Sequence, residues 1–395
     1  MKIAINGTGV AGPTLAYWLR HFGHEPVLFE KAPALRTGGY VIDFWGLGYD
    51  IADKMGLVPE LHAKGYQMEQ LVAVDDDGST RARMDMGNTR ELLGDRFVSI
   101  PRGDLAATLF GACDGIETRF GVSVEHIEQR SEHVRVTLSD DCVERFDLVV
   151  GADGLHSRVR DLAFGPEARC SRDLGTCVAA FQIPGYRPRD ELVYVSHTVP
   201  GRQIGRIALR DDMTVVLMVF DAERLAEFPT STEAIKAALR EVFSDMRWET
   251  PQILAHMDEV DEVYFDRVSQ IHLDAWTRGR VALIGDAAAC ASLLAGEGSG
   301  LAMTEAYVLA GELHRSGGAY EVAFQAYETR LRAFLGRKQR SALRNTRYFV
   351  PRSRLSLWVR DRLVQLANRR FFAKRFVAGA LSDDVSLPDY DRAEA

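Results

Sequence analysis

Gly7, Gly9 and Gly12 follow the apolar run 2–6 in the order Gly-x-Gly-x-x-Gly, a spacing in which each glycine answers a separate steric demand. The first permits a tight turn out of a strand, the second lets the backbone approach a pyrophosphate, and the third allows the next helix to pack against the sheet. Val10 and Ala11 fill the loop between them. The chemistry such a loop supports is dinucleotide binding. Leu15, Ala16, Trp18 and Leu19 continue as a helix whose positively polarised N-terminus faces the phosphates. A second strand over 26–30 ends on Glu30, eighteen residues after Gly12. A carboxylate there accepts hydrogen bonds from a ribose 2′-hydroxyl and repels a 2′-phosphate, and Lys31 stands next to it in the candidate site.

At 395 residues and a net charge of −8, the chain suits an enzyme of two or three domains, with ample length to bury a core. No apolar stretch approaches the roughly 18 to 20 residues of a membrane span, and Met1 leads directly into a strand. The expectation is a cytoplasmic protein with no stable membrane association. Cys113, Cys142, Cys170, Cys177 and Cys290 are odd in number and widely spaced, which argues against a disulfide scaffold, a zinc site or a dithiol reductase. Charge is unevenly spread: residues 330–375 hold fifteen Lys or Arg against the single acid Asp361, so this stretch carries +14 and the remainder −22. Within it Leu331, Phe334 and Leu335, then Leu355, Trp358, Leu363, Leu366 and Ala367, recur at helical spacing. Such a segment is either a membrane-surface or nucleic-acid patch, or a pair of amphipathic helices docked on an acidic body. The breadth of the apolar face favours docking, with no nucleic-acid partner.

The elements that must carry the glycine loop are interleaved along the chain. After the opening βαβ unit, Asp104 is a plausible N-cap for a helix through Leu105, Leu109 and Phe110. Alternation over 133–138, a turn at 139–141 and the apolar run 146–151 read as strands around a tight connection. Consecutive strand candidates at 176–183, 192–197, 203–209 and 214–220 have antiparallel texture, and Thr230 or Ser231 caps a helix to about Phe243. The run 280–285 then returns to a buried parallel strand. The fold class expected is α/β: a Rossmann-like nucleotide domain with an inserted, mostly antiparallel β-sheet substrate domain and C-terminal helices. Its parts are residues 1–70, 96–170 and 277–320 for the first, 71–95 and 171–276 for the second, and 321–395 for the third.

Two further motifs narrow the reading. DLVVGADGLHSRVR at 147–160 places Asp153 and Gly154 at a strand end, and RVALIGDAAACASLLAGEGSGLAMTEA at 280–306 places Gly285 and Asp286 at another. With GTGVAG at 7–12, these closely resemble the three fingerprints of the class A, para-hydroxybenzoate hydroxylase-like FAD monooxygenases. The resemblance extends to the closing Leu387, Pro388, Asp389 and Tyr390, and GGYVIDFWG at 38–46 is similar to the tetracycline-inactivating subgroup and related hydroxylases of antibiotic metabolism. It implies an FAD-binding domain in which Asp286 binds a ribityl hydroxyl and the amides at Gly298 stabilise negative charge on the reduced ring. Arg102 matches an arginine near the FAD phosphate and ribose, Asp43 is placed at the FAD, and Arg36 is a candidate contact for NADPH. Asp153 stays open between shaping the crevice shared by FAD and nicotinamide and forming a structural strand-to-helix turn.

The sequence departs from the family pattern at Ala289, Leu293 and Glu297. Glu297 is open between tuning the flavin, touching substrate and capping a helix. The activity implied is reduction of FAD by NADPH or NADH, addition of oxygen to the reduced ring, and hydroxylation of an aromatic or polyketide-like small molecule by the resulting flavin hydroperoxide, with no catalytic side chain and no metal. An oxidase or reductase without oxygen insertion and a non-catalytic FAD-containing binding protein are the alternatives. A monomer or weak homodimer is expected. Phe181, Tyr194, His197, Arg206, Arg210, Met218 and Phe220 are candidate pocket residues of the inserted sheet, each also explicable as ordinary core. Because the glycine turn, Glu30 and Asp286 touch different parts of one cofactor, the purified chain should be yellow, and acid precipitation should release all of its FAD. A colourless protein that takes up no added FAD, or flavin left on the precipitate, would overturn this.

Overall fold

The computed structural model describes residues 1–36, 38–87, 91, 94, 96–368 and 385–391. Ile3, Ala4 and Ile5 in the opening strand Lys2–Asn6 are fully buried, as an uninterrupted apolar run must be at the centre of a parallel sheet covered on both faces. Leu148–Gly151 and Glu25–Glu30 flank it in parallel. The sheet has six strands in the order 277–278, 281–283, 148–151, 2–6, 25–30 and 117–120, and only its outermost pair is antiparallel. Helix Ala11–His21 buries Leu15, Ala16, Trp18 and Leu19, and Trp18 meets Tyr307 of helix Gly298–Arg315 edge-on at 4.8 Å. The expected cap at Asp104 is displaced: helix Arg102–Gly111 begins directly after Pro101, leaving Asp104 in its first turn. Proline is a natural stop for the preceding strand, Phe97–Pro101, so the boundary falls three residues earlier.

The second sheet has seven strands, built from Gln70–Val74 and Thr80–Asp85 together with four long strands between 171 and 221 and the strand Tyr264–Ile271. All neighbours are antiparallel except Val193–Val199 against Gln70–Val74. Register fixes its two faces. Phe181, Ile204, Met218 and Phe220 lie under the helices Thr232–Phe243 and Thr250–Met257, where they form a closed core with Phe243, Ile253 and Met257. The other face carries Tyr264, Ala180, Leu217 and Gly205 in one cross-strand row, with Gln182, Val215, Ile207 and Tyr194 beside it. Phe181, Met218, Phe220 and Arg206 are therefore core residues of the helix-covered face, not pocket residues. Arg206 is 2% exposed and clamped by Glu249 at 2.6 and 2.8 Å. His197 joins them, bonded to Asp76 at 3.0 Å and tilted against Trp248, while Arg210 stacks on Tyr66 at the sheet's end. Of the seven candidates only Tyr194 belongs to the open face. A period of two separates two sets of side chains but does not say which set meets a cavity.

Two C-terminal helices follow, the first packed on helix Gly298–Arg315 and the second on strands Thr80–Asp85 and Val193–Val199 of the seven-stranded sheet. In Tyr320–Phe349 the expected apolar stripe is buried: Tyr327, Leu331, Phe334 and Leu335 all join the main core. Its charges find acidic partners, Arg330 on Glu312 at 3.1 Å and Lys338 on Glu297 at 2.8 Å. Gln339 donates to the carbonyls of Ile271 and Cys290 at 2.7 and 3.2 Å, tying the helix to the end of strand Tyr264–Ile271 and to the residue after helix Asp286–Ala289. The second helix, Arg354–Ala367, corrects the expectation of apolar docking, because Leu355, Trp358 and Leu363 point outward. Residues 369–384, which carry the end of the basic stretch, and 392–395 lie outside the described residues. The closing segment seats Tyr390 against helix Gly298–Arg315, with its hydroxyl on Glu312 at 2.6 Å. Removing everything from Arg330 onward strips Leu331, Phe334, Leu335 and Tyr390 from the main core, each worth roughly 1.5 to 3 kcal/mol. The truncated chain should be insoluble or poor in FAD, read by flavin absorbance per protein; a soluble and fully flavinylated product would refute this account of the helix.

Candidate functional site

The crevice lies at the carboxyl ends of the parallel strands, where all three sequence motifs meet. Gly7 leaves the first strand with φ 111°, and a Cβ there would sit 2.5 Å from the Ala152 carbonyl oxygen. A Cβ on Gly12 would sit 1.9 Å from the Gly7 oxygen. Only glycine fits either place. Val10 stands at the N-cap and Ala11 opens the helix, both nearly buried. Gly285, φ 64°, lies between the methyl groups of Ala11 and Ala302, so the start of the first helix, the Gly285–Asp286 turn and the helix Gly298–Arg315 touch. Gly9 has open space where its side chain would be, bounded by the Arg102 guanidinium at 3.8 Å. Neither Ala11–His21 nor Gly298–Arg315 has a side-chain cap or an acid in its first turn, so both N-termini keep free amide donors.

The carboxylates differ in how far the protein already uses them. Glu30 accepts from the Thr8 amide at 3.0 Å, the Thr8 hydroxyl at 2.9 Å and the Ala32 amide at 2.9 Å. Burial opposes its ionisation, but these bonds and Arg36 together hold the carboxyl below its ordinary range. With about four lone-pair positions per carboxylate, Glu30 keeps roughly one for a ribose hydroxyl. Lys31 and Arg36 are exposed at the rim beside it. Asp153 is more fully engaged: it accepts from Asn6 at 2.9 Å, from the Ser157 hydroxyl, and from the amides of Arg158 and Val159 at 2.8 and 3.2 Å. Its carboxylate caps the helix Arg158–Phe164, which is the structural alternative left open by the sequence. Asp286 is half-buried at the head of its own short helix, and a Cβ on Gly298 would come within 3.8 Å of its Oδ1.

Asp43 faces Ser99 across a two-stranded ribbon and accepts its hydroxyl at 2.5 Å. Its tip is open to solvent yet walled by protein, and that enclosure pushes the carboxyl up, offset in part by Ser99. A small hollow joins Asp43 and Trp45 to Glu297, Gly300 and Thr304. Glu297 occupies the N-cap position without capping; its carboxylate turns to Lys338. On the sheet side of the crevice Tyr40 and Tyr264 approach at 5.9 Å. Burial pushes the Tyr40 phenol up to about 12 and raises Tyr264 as well, with Arg102 opposing in both. Both are neutral donors at physiological pH. The larger surface groove along 321–333 lies away from this junction and contains none of these residues.

Uncapped helix ends, a glycine cradle under a guanidinium and a carboxylate at a strand end fit a flavin dinucleotide. Residues 1–338 match the family described as FAD binding domain. The chain belongs to that family. It is 34% identical over 391 residues to a flavin-dependent monooxygenase from an unknown prokaryotic organism, covering 99% of both chains. A flavin-dependent monooxygenase of Legionella longbeachae is 32% identical, with 99% of this chain and 98% of the relative covered. Among solved structures, the tetracycline destructase Tet(51) superposes with a TM-score of 0.84 at 31% identity, over 98% of this chain and 99% of that one. The chain is thus an FAD-dependent monooxygenase of class A with a Rossmann-like fold.

Sequence reasoning passed over Glu305, whose only signal was an acid inside an apolar helix. Its side chain is 1% exposed, and Oε2 accepts the Gly285 amide at 2.9 Å. The Tyr327 hydroxyl lies 3.0 Å from that oxygen and 3.0 Å from the Leu283 carbonyl. The phenol's single hydrogen is shared between these two acceptors. Burial pushes the Glu305 carboxyl well above its usual range, opposed by the bonds from Tyr327 and the Gly285 amide. Glu305 thereby braces the turn that presents Asp286. Between the ordinary carboxylate range and the raised folded value, the folded state binds more protons than the unfolded state, so this group's contribution falls as pH rises. Glu305→Gln, neutral at all pH, should lose less Tm than the unmodified protein as pH rises above about 5. Equal loss in the two proteins would mean that Glu305 is ionised in the fold.

Proposed function

We propose that this monooxygenase uses NADPH or NADH and O2 to hydroxylate an aromatic or polyketide-like small molecule held between the flavin site and the open face of the seven-stranded sheet. The observation that carries the reading is the meeting of Tyr264, on that face, with Tyr40 and Arg102, which belong to the crevice. FAD supplies the redox chemistry, accepting hydride and activating oxygen. The protein supplies binding, orientation and exclusion of water. Gly9, the first-turn amides of Ala11–His21 and Arg102 would hold the pyrophosphate, Glu30 the adenosine ribose, and Asp286 the ribityl chain. The amides at Gly298 would face the ring, where an uncapped helix end favours developing negative charge. Asp43 would sit at the cofactor, and Arg36, exposed beside Glu30, would contact the nicotinamide cosubstrate. Asp153 would act through position, since its carboxylate already serves the fold.

The substrate would lie against Tyr264, Leu217, Ile207, Gln182 and Tyr194, the partly exposed members of the open face. This wall is mainly apolar with a few polar groups, as suits a conjugated organic molecule. The relation to a tetracycline destructase at 31% identity supports a multi-ring phenolic or enolic substrate. Asp286→Ala should remove a charge-assisted hydrogen bond worth about 1.5 to 3 kcal/mol, weakening FAD retention about ten- to hundredfold. Fluorescence titration reads this directly, and unchanged affinity would refute the assignment of Asp286. Substrate-stimulated NADPH oxidation across phenols, tetracyclic polyketides and purines tests the activity, with the product's added oxygen separating hydroxylation from peroxide-forming oxidase turnover.

A further inference from the structure

Helix Arg354–Ala367 is docked by its polar side. Asp361, 5% exposed, pairs with Arg81 at 2.6 Å. Arg360 reaches Gln203 and Thr198 at 3.2 Å each. Gln365 and Asn368 donate to the carbonyls of Arg81 and Arg83 at 3.0 and 2.7 Å, and the Asn368 side chain accepts the Asp85 amide at 2.8 Å. The outward side is apolar: Leu355 is 71% exposed, Trp358 56%, Val359 42% and Leu363 47%. These four recur at intervals of three and four residues, so they form one stripe. An ordinary surface helix has the reverse arrangement. Half of the eight large apolar side chains exposed among the described residues stand on this single helix.

Charge selects the occupant. Arg362 lies over the Trp358 ring at 5.4 Å, within the stripe. From 362 to 382 the sequence holds five Lys or Arg and no acid, and Asp361 is turned inward. A second copy joined about a two-fold axis would bring Arg362 against the same group of its partner, in an apolar contact where like charges repel. An anionic lipid surface accepts both components, the stripe among its acyl chains and the cations at its phosphates. No described helix is long and apolar enough to cross a membrane, so the attachment is interfacial. We propose that the outer face of Arg354–Ala367 is a docking surface for anionic membrane, reversing the sequence expectation of no stable membrane association.

The test uses the full chain with bound FAD, sedimented with phosphatidylcholine vesicles with or without phosphatidylserine. Binding to the phosphatidylserine vesicles alone, released by salt, is expected. The double variant Trp358→Ser, Leu363→Ser should bind about tenfold more weakly while keeping its FAD content and Tm, because both side chains are about half exposed and neither belongs to a buried core. Leu355→Ser, altered at the far end of the stripe, should weaken binding in the same direction if the double variant proves unstable. Failure to bind phosphatidylserine vesicles overturns the proposal, as does equal binding by a folded stripe variant. A dimer in sedimentation velocity that the double variant dissolves would assign the stripe to a second copy instead.

Discussion

Backbone touches backbone at the centre of this molecule, and the rest of the site depends on that contact. The 1.9 Å separation between a Cβ built on Gly12 and the Gly7 oxygen leaves no room for any side chain, and the Gly7 approach to Ala152 is nearly as close. Two strand ends and a helix start are thereby drawn to one point. The same device recurs at Gly48, where a Cβ would stand 2.5 Å from the Cα of Gly300. Because no side chains intervene, first-turn amides themselves line the crevice, and their partial charges act at short range. A glycine replaced at either contact would separate the elements that carry the donors.

Polar groups near that point divide into those already satisfied by the fold and those with capacity left. Asp153 has all its bonds within the chain, holding Asn6, Ser157 and the start of a helix. Asn6 in turn accepts the Val124 amide at 3.0 Å, so residues 151–154, the first strand and the strand Val124–Gln129 are locked together. Glu305 is satisfied beneath Gly285, where it accepts that amide. Asp286, half-buried, and Arg102, exposed, border the crevice, and Glu30 stands between the two groups. Rigid framing by buried groups and open valence at the rim is what allows a ligand to bind without first reorganising the protein.

Local rules explain what could be read from the sequence. Turn glycines, strand-end acids and buried apolar runs act within a few residues, so the three motifs, their order and the strand Val281–Leu283 were legible without coordinates. Ser231 as a helix cap was legible for the same reason, accepting the Ala234 amide at 3.2 Å. What failed required distant partners. The alternation that defines Phe181 and Met218 as a set is visible in sequence, but the helices that cover them come from 232–257. The stripe of Leu355, Trp358 and Leu363 reads as a docking face by periodicity, and it is turned outward by partners distant in sequence: the ion pair of Asp361 with Arg81 and the hydrogen bonds of Arg360, Gln365 and Asn368.

Glu297 shows how such a distant partner reaches the chemistry. A carboxylate at the N-cap of Gly298–Arg315 places negative charge where the helix end is positive, and an unpaired one would offset the field directed into the crevice. The Glu297 side chain instead meets Lys338 at 2.8 Å, and that ammonium also lies 5.5 Å over the Trp45 ring. The pair is neutral as a unit, so the helix end keeps its polarity. Lys338 belongs to Tyr320–Phe349, whose next residue, Gln339, fixes the same turn to Ile271 and Cys290. The basic C-terminal stretch is in this sense part of the crevice: without Lys338, a carboxylate would stand uncompensated beside the uncapped amides at Gly298, where we propose that the flavin ring lies.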